Sequence, residues 1–130
     1  MIKTSRCIGK RYLIMYINIA KDFSDIPGAR YIKNGDYSAE LFRDNILIPK
    51  LMDAIDNNEA LEVNLDNTFG ICDSFLEEVF GGLVRKGTIG ILDILKYLVI
   101  TSKENRNYSE RSYTFIVEQM HRQLNHKRKY

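Results

Sequence analysis

The chain has 130 residues, of which 45% are apolar and 28% are charged, so disordered and fibrous classes are excluded. This length corresponds to one ordinary domain with its own core, and we expect a single domain over residues 1–130. No apolar run reaches the roughly 20 residues of a membrane span, and the apolar stretch at 12–20 lacks a following signal-peptide cleavage site. We therefore expect a cytoplasmic protein.

Residues that could bind a metal or form a disulfide are few and scattered. Cys7 and Cys72 are far apart, which is compatible with one disulfide, although two free thiols are expected in a reducing compartment. His121 and His126 lie five residues apart and do not share a helix face, so we expect no metal site. We also expect no cofactor.

Charge is distributed unevenly along the chain, although its formal total is only +2. Residues 31–102 contain six Lys and Arg against twelve Asp and Glu, whereas residues 103–130 contain seven against three. The basic end could pair with the acidic middle, contact an acidic partner, or solvate a terminal helix. It lacks interleaved aromatic residues and a base-reading helix, so nucleic-acid binding is not expected.

The first half of the chain predicts two strands and a helix. The segment 10–23 is rich in Tyr, Ile and Met, which favours a buried strand, and turn dipeptides bracket a short strand at 29–33. A helix follows from Ser38, a suitable N-cap. Pro49 predicts a kink, or a second helical piece beginning near residue 48.

The second half alternates strands and helices. Apolar residues at every second position predict a strand at 60–68 ending at Asp66, and a helical apolar stripe follows from Ser74. The run 95–100 predicts a buried strand, and the last amphipathic stretch predicts a helix over about 107–126. Strands alternating with helices indicate an α/β sheet with right-handed parallel crossovers.

The junction at Ser74 permits two interpretations. Ser74 and Glu77 have the spacing of a capping box, in which the serine accepts a hydrogen bond from the Glu77 amide and the glutamate returns to the serine amide. The serine also lies between a strand end and a helix start, where open α/β sheets place their binding sites. A phosphoryl group there would add about two negative charges beside Asp73, Glu77 and Glu78.

Two segments carry a family resemblance: "GARY", "NGDYS" and "LFR" within 28–43, and "SFLEEVFGGLVR" at 74–85. They resemble STAS-like domains of unknown function from bacteria and their phages, which are related to the STAS domains of anti-sigma-factor antagonists. The resemblance extends from about residue 17 to residue 100. It implies a single STAS-like domain with a small mixed sheet of about four strands and three main helices packed mostly on one face.

The resemblance also implies a function without catalysis. Antagonist relatives bind an ATPase-type, histidine-kinase-like protein and are released when it phosphorylates the serine at the helix start, which Ser74 matches. Here Phe75 and Leu76 replace the usual second hydroxyl residue and glycine, and Phe75 either turns inward or obstructs the kinase. The implied partner surface is the strand–helix corner around 70–78, with six candidate contacts: Asp66, Asp73, Ser74, Phe75, Glu77 and Glu78.

A different function class remains open for the same crevice. Arg30 and Arg43 lie near turn or helix ends, where they could contact an anion in a small-molecule or nucleotide-responsive module. Each could equally be a structural hydrogen-bond donor. Gly81 and Gly82 fall inside a helix, where glycine is unfavourable, and they predict close packing against the sheet or a partner helix. A homodimer is compatible with the sequence.

Overall fold

The computed structural model describes the backbone of residues 5–8 and 12–128 and the side chains of residues 14–126. Within this part the strands are β1 (Ser5–Ile8), β2 (Tyr12–Asn18), β3 (Ala60–Asn64) and β4 (Leu98–Thr101). They form one sheet in the order β1-β2-β3-β4. β2, β3 and β4 are parallel, and β1 pairs with β2 antiparallel.

The helical segments of this part are α1 (Ile19–Asp22), α2 (Ala39–Phe42), α3 (Ile48–Asp56), α4 (Asp73–Leu76), α5 (Gly82–Lys86), α6 (Ile91–Tyr97) and α7 (Arg106–Arg128). Two five-residue π-helical turns interrupt the longer helices. The first π turn (Arg43–Leu47) joins α2 to α3, and the second π turn (Glu77–Gly81) joins α4 to α5. Residues 39–56 and 73–86 are therefore two continuous helices, and the latter is called the central helix below.

One hydrophobic core joins the sheet to these helices. Met15 and Ile17 of β2, and Leu61 and Val63 of β3, point into it at every second position. Two successive crossovers, β2 to β3 and β3 to β4, progress in the same direction across the sheet. Crossovers of one hand that progress in one direction place their helices on one face, and helical residues from both crossovers belong to the same buried cluster.

Several predicted elements are confirmed with small changes at their ends. Ser38 caps the helix at 39–56, since its hydroxyl accepts the Leu41 N–H at 3.1 Å. The second helical piece begins at Ile48, with Pro49 in its first turn. The strand predicted at 60–68 ends at Asn64. The helix predicted over about 107–126 is α7.

The count of about four strands and three main helices is matched only in part, because some elements differ. No strand forms at 29–33; Tyr31 and Ile32 are exposed, and a 3₁₀ turn covers Ile32–Asn34. The Arg30 carbonyl instead accepts the Glu40 N–H at 3.0 Å, so this segment pairs with the start of α2.

The run at 95–100 is divided between two elements. Its first three residues end α6, a helix missed by the sequence prediction, and β4 begins only at Leu98. Ile94 and Leu98 are buried whereas Leu95 is half-exposed, which is a helical pattern at the beginning of the run. β1 was also missed.

Candidate functional site

Polar side chains close the carboxyl ends of the three parallel strands. Asn18, Asn64 and Thr101 occupy matching positions on β2, β3 and β4. Asn18 Nδ2 donates to Asn64 Oδ1 at 2.7 Å, and Asn64 Nδ2 donates to Thr101 Oγ1 at 3.0 Å. The Thr101 hydroxyl donates to Glu62 Oε2 at 2.8 Å. Because buried polar groups must be paired, this row fixes the strand ends from which residues 66–74, called the corner below, depart.

Asp66 ties the corner to the loop that follows β4. Its Oδ1 accepts the backbone N–H groups of Lys103 and Glu104 at 2.8 and 3.0 Å, and its Oδ2 accepts Asn64 Nδ2 at 3.2 Å. Burial alone would raise the pKa of Asp66, but these donors, with the Glu104 N–H first, lower it on balance. Asp66, which was predicted as a partner contact, uses both carboxylate oxygens to position the corner.

The predicted capping box at Ser74 is wrong. The central helix begins at Asp73, and Cys72 is its N-cap residue without a side-chain capping bond. Ser74 therefore lies inside the first turn, where its hydroxyl is exposed and lies 3.1 Å from Cys72 Sγ. The Glu77 carboxylate contacts Arg30 and Arg85 instead. The Ser74 hydroxyl lies on the surface at the start of a helix and has no capping role.

Cys72 lies beside this hydroxyl as an exposed free thiol. Burial would raise the pKa of Cys72, but the Ser74 hydroxyl and the backbone N–H groups at the helix start lower it on balance. The side chain of Cys7 falls outside the described residues, and so does the prediction made for it.

Negative charge around Ser74 is largely neutralised by arginines. Arg111 Nη1 lies 3.0 Å from Asp73 Oδ2, in a pair that is more than half exposed. Glu77 and Glu78, the other two carboxylates expected to repel a phosphate, are both paired with arginines. A phosphoryl group on Ser74 would consequently meet less repulsion than the sequence indicates.

Phe75 points into the core and is 0% exposed. Its ring lies 6.5 Å from that of Phe23, which in turn contacts Phe42 at 5.3 Å and the edge of Tyr37 at 5.7 Å. The prediction of Phe75 as a partner contact is therefore wrong. Of the two alternatives, Phe75 turns inward and leaves Ser74 unobstructed.

Exposed apolar side chains surround the corner, and the sequence analysis missed them. Phe69 is 83% exposed and Ile26 is 65% exposed. Their loops are joined because the Phe69 N–H donates to the Asp25 carbonyl at 2.8 Å. A cavity of about 480 Å³ opens beside Ile26 and Tyr37. The signal that could have indicated this surface is Phe69 itself, a large apolar residue in a loop whose sequence has no helical or strand periodicity.

Tyr37 has an unusual backbone conformation in this surface. Its φ of 55° lies in the left-handed region, which bulky residues avoid and which is found preferentially at functional sites. The Tyr37 carbonyl accepts the Gly28 N–H at 3.0 Å, which holds the turn in place.

Glu77 and Glu78, two more predicted partner contacts, belong to an internal network of ion pairs. Arg30 Nη1 lies 2.5 Å from Glu77 Oε1 and 3.1 Å from Glu78 Oε1. Arg85 contacts the same two carboxylates at 2.6 and 3.3 Å. Hydrogen bonding to Glu77 raises the pKa of Arg30 and of Arg85. Glu78 is buried, so it offers no surface for a partner protein.

Arg43 lies inside the domain and is not an anion contact. Its Nη1 lies 2.5 Å from Glu78 Oε2, with both side chains less than 10% exposed, and its Nε donates to Asp44 Oδ1 at 2.8 Å. Burial lowers the pKa of Arg43, but Asp44 and Glu78 raise it on balance. Of the two interpretations of Arg43, anion contact or structural hydrogen-bond donor, the second is therefore the one that the structure supports.

The two helical glycines make room for this network. A Cβ atom on Gly82 would lie 2.5 Å from Arg43 Nη1 and 3.1 Å from Glu78 Oε2, and one on Gly81 would lie 2.6 Å from Glu77 Oε2. The close packing predicted at these glycines is present: at Gly82 it involves Arg43 of the neighbouring helix at 39–56, and at Gly81 it involves Glu77 of the same helix.

The described residues contain neither a membrane-spanning helix nor a cluster of metal ligands. None of their helices combines the length and apolarity needed to cross a bilayer. Their His, Cys, Asp and Glu side chains form no group of three or more that could hold a metal ion.

The architecture defines an α/β domain with a parallel three-stranded centre, helical crossovers on one face, and a strand–helix corner bearing an exposed serine. A family model described as a STAS-like domain of unknown function (DUF4325) matches residues 38–105. The chain belongs to this family, which confirms the resemblance. No curated protein and no solved structure matches the chain significantly.

Proposed function

We propose that this protein is a regulatory module without catalytic activity that binds a partner protein through its corner. The observation that carries the proposal is the exposure of Phe69 and Ile26 on two loops held together by a backbone hydrogen bond. Aromatic side chains at the centre of an interface contribute much of its binding energy. An exposed aromatic residue whose backbone is bonded to a neighbouring loop therefore suits a protein interface.

The proposed partner is an ATPase-type kinase, as in the antagonists that the family resembles. Ser74 supports a switch of this kind, since it is exposed and has no capping role. Phosphorylation would place about two negative charges on Ser74, five residues after Phe69 in the chain. We propose that this charge releases the partner without unfolding the domain.

Affinity purification from host cells with Phe69→Ser tests the interface. Leu92→Ser is the matched control, because Leu92 is 81% exposed and lies on α6, which precedes β4 and so adjoins the opposite, amino end of the parallel strands. A partner recovered with the wild type and the control, but lost with Phe69→Ser, supports the proposal. Identical recovery with all three proteins contradicts it.

The switch is tested by Ser74→Asp and Ser74→Ala in the same purification. We expect Ser74→Asp to lose the partner and Ser74→Ala to retain it. Retention by both variants, together with unmodified Ser74 in protein isolated from the host, contradicts the switch but leaves the interface standing.

A further inference from the structure

A second cavity lies between Arg30, the central helix and α7. Its volume is about 390 Å³, which falls in the usual range for small-molecule sites. Charged residues from all three elements line it, among them Arg30, Arg85 and Arg122. The cavity therefore brings three guanidinium groups to one place.

Gly81 leaves room for two side chains that line the cavity. Glu77, Gly81 and Arg85 follow one another at intervals of four residues on the central helix, and so share a face. A Cβ atom on Gly81 would lie 2.6 Å from Glu77 Oε2 and 3.6 Å from Arg85 Nη1. The absence of a side chain at Gly81 thus leaves space for the ion pair between Glu77 and Arg85.

The charged residues that line the cavity balance formally, because three arginines face three glutamates. Glu77 and Glu78 are shared among three guanidinium groups, those of Arg30, Arg43 and Arg85. Asp44 neutralises one further cation, because it contacts both Arg43 and Lys86. Arg43, Asp44 and Lys86 do not line the cavity, so they add no charge to its wall.

The other wall contributes two charged groups from α7. Arg122 and Glu118 both line the cavity, and neither forms an ion pair with any residue whose side chain is described. Their charges offset each other formally, but the donors of the Arg122 guanidinium are not taken up by an ion pair with the described side chains. Arg30 also bonds to both glutamates through Nη1 alone, which leaves further N–H donors on its guanidinium.

We propose that this pocket binds the phosphoryl group of a small phosphorylated metabolite. A phosphoryl group offers several oxygens in different directions, and guanidinium groups bind it through paired, charge-assisted hydrogen bonds. Tyr31 and Phe115 line the same cavity and give the organic part an aromatic surface. The Glu118 carboxylate is available to accept hydrogen bonds from its hydroxyl or amino groups. This proposal does not rest on the proposed partner protein.

Calorimetric titration of the full chain at low salt tests this proposal with adenosine monophosphate, ribose 5-phosphate, inorganic phosphate and adenosine. Arg122→Gln should weaken binding of the phosphorylated probes about tenfold or more, since it removes a charged hydrogen-bond donor. Arg106→Gln is the matched control on the same helix, about 24 Å away along its axis, and should bind like the wild type. Glu118→Gln should strengthen binding of inorganic phosphate about twofold, because it removes a nearby negative charge.

The outcomes separate the sources of affinity. Inorganic phosphate binding as tightly as the nucleotide supports the site and assigns recognition to the phosphoryl group alone. Tighter binding of the nucleotide than of inorganic phosphate also supports the site, and shows that the aromatic surface contributes to recognition. The proposal is overturned if no phosphorylated probe binds the wild type, if adenosine binds as tightly as its monophosphate, or if Arg122→Gln and Arg106→Gln bind alike.

Discussion

Arg43 Nη1 and Glu78 Oε2 lie 2.5 Å apart and join the π turns of two different helices. π turns arise where an extra residue is accommodated in a helix and are frequent at functional positions. Here each turn contributes one member of a buried ion pair, and Gly82 leaves the space for it. This relationship links the helix at 39–56 to the helix that carries Ser74.

Gly82→Ala should destabilise the domain, although alanine normally favours a helix. Its Cβ atom would enter the buried contact between Arg43 and Glu78, and overpacking of this kind costs about 1–3 kcal/mol. Gly81→Ala should cost less, because the Glu77 side chain that it meets is 22% exposed and can move outward. Urea denaturation of both variants measures the difference. A Gly82→Ala variant more stable than the wild type would show that the ion pair does not need this space.

Arg43→Met should be among the more damaging changes, because it leaves Glu78 buried without its closest partner. Breaking a buried ion pair costs about 3–5 kcal/mol. Arg30 and Arg85 also contact Glu78, so we expect the lower end of this range. Lys86→Met is the control, since Lys86 contacts Asp44 from a 43% exposed position and should cost less than about 1 kcal/mol. Equal unfolding free energies for the two variants would contradict the structural role of Arg43.

The same substitution at two helix starts distinguishes a capping serine from a free one. Ser38→Ala should cost about 1 kcal/mol, because Ser38 accepts the Leu41 N–H at 3.1 Å. Ser74→Ala should change stability by less than about 0.5 kcal/mol, as expected for a surface side chain outside such contacts. Thermal and urea unfolding measure both. A loss at Ser74 as large as that at Ser38 would restore the capping interpretation.

Acid should destabilise the domain in part through Glu77. Hydrogen bonding to Arg85 lowers the pKa of Glu77 below its ordinary value of 4.5, burial opposes this, and Arg30 lowers it further. The unfolded carboxylate therefore binds its proton at a higher pH than the folded one, so stability present above pH 4.5 is lost as the pH falls toward the folded pKa.

Unfolding free energies measured at intervals below about pH 5 in the wild type, Glu77→Gln and Glu118→Gln check this dependence. The slope should become flatter in Glu77→Gln. Glu118→Gln should retain the wild-type slope, because Glu118 has no ion pair with the described side chains. A Glu77→Gln variant with an unchanged slope would contradict the linkage.

The main helices and the parallel strands were predictable because their signals are local. Ser38 before an apolar helical stripe and Pro49 within it indicated where the helical pieces begin, and alternation at 60–64 indicated β3. The run at 95–100 was misassigned because a short apolar run fits either period. Only packing, which buries Ile94 and exposes Leu95, decides between helix and strand there.

The candidate site was less predictable because it depends on residues distant in sequence. Ser74 and Glu77 have the spacing of a capping box, but the Glu77 carboxylate accepts a hydrogen bond from Arg30, which lies 47 residues earlier. The burial of Phe75 depends on packing against Phe23, which directly follows α1 and is distant from Phe75 in sequence. The exposure of Phe69 is likewise a tertiary property, since its loop is fixed by a bond to Asp25.

Hydrogen–deuterium exchange of the chain, alone and with its recovered partner, tests most directly the claim that the corner is the interface. We predict slower exchange within residues 66–74 and 24–37 when the partner is bound, and unchanged exchange in α6. Protection confined to α6 or α7, with the corner exchanging as in the free protein, would contradict the claim.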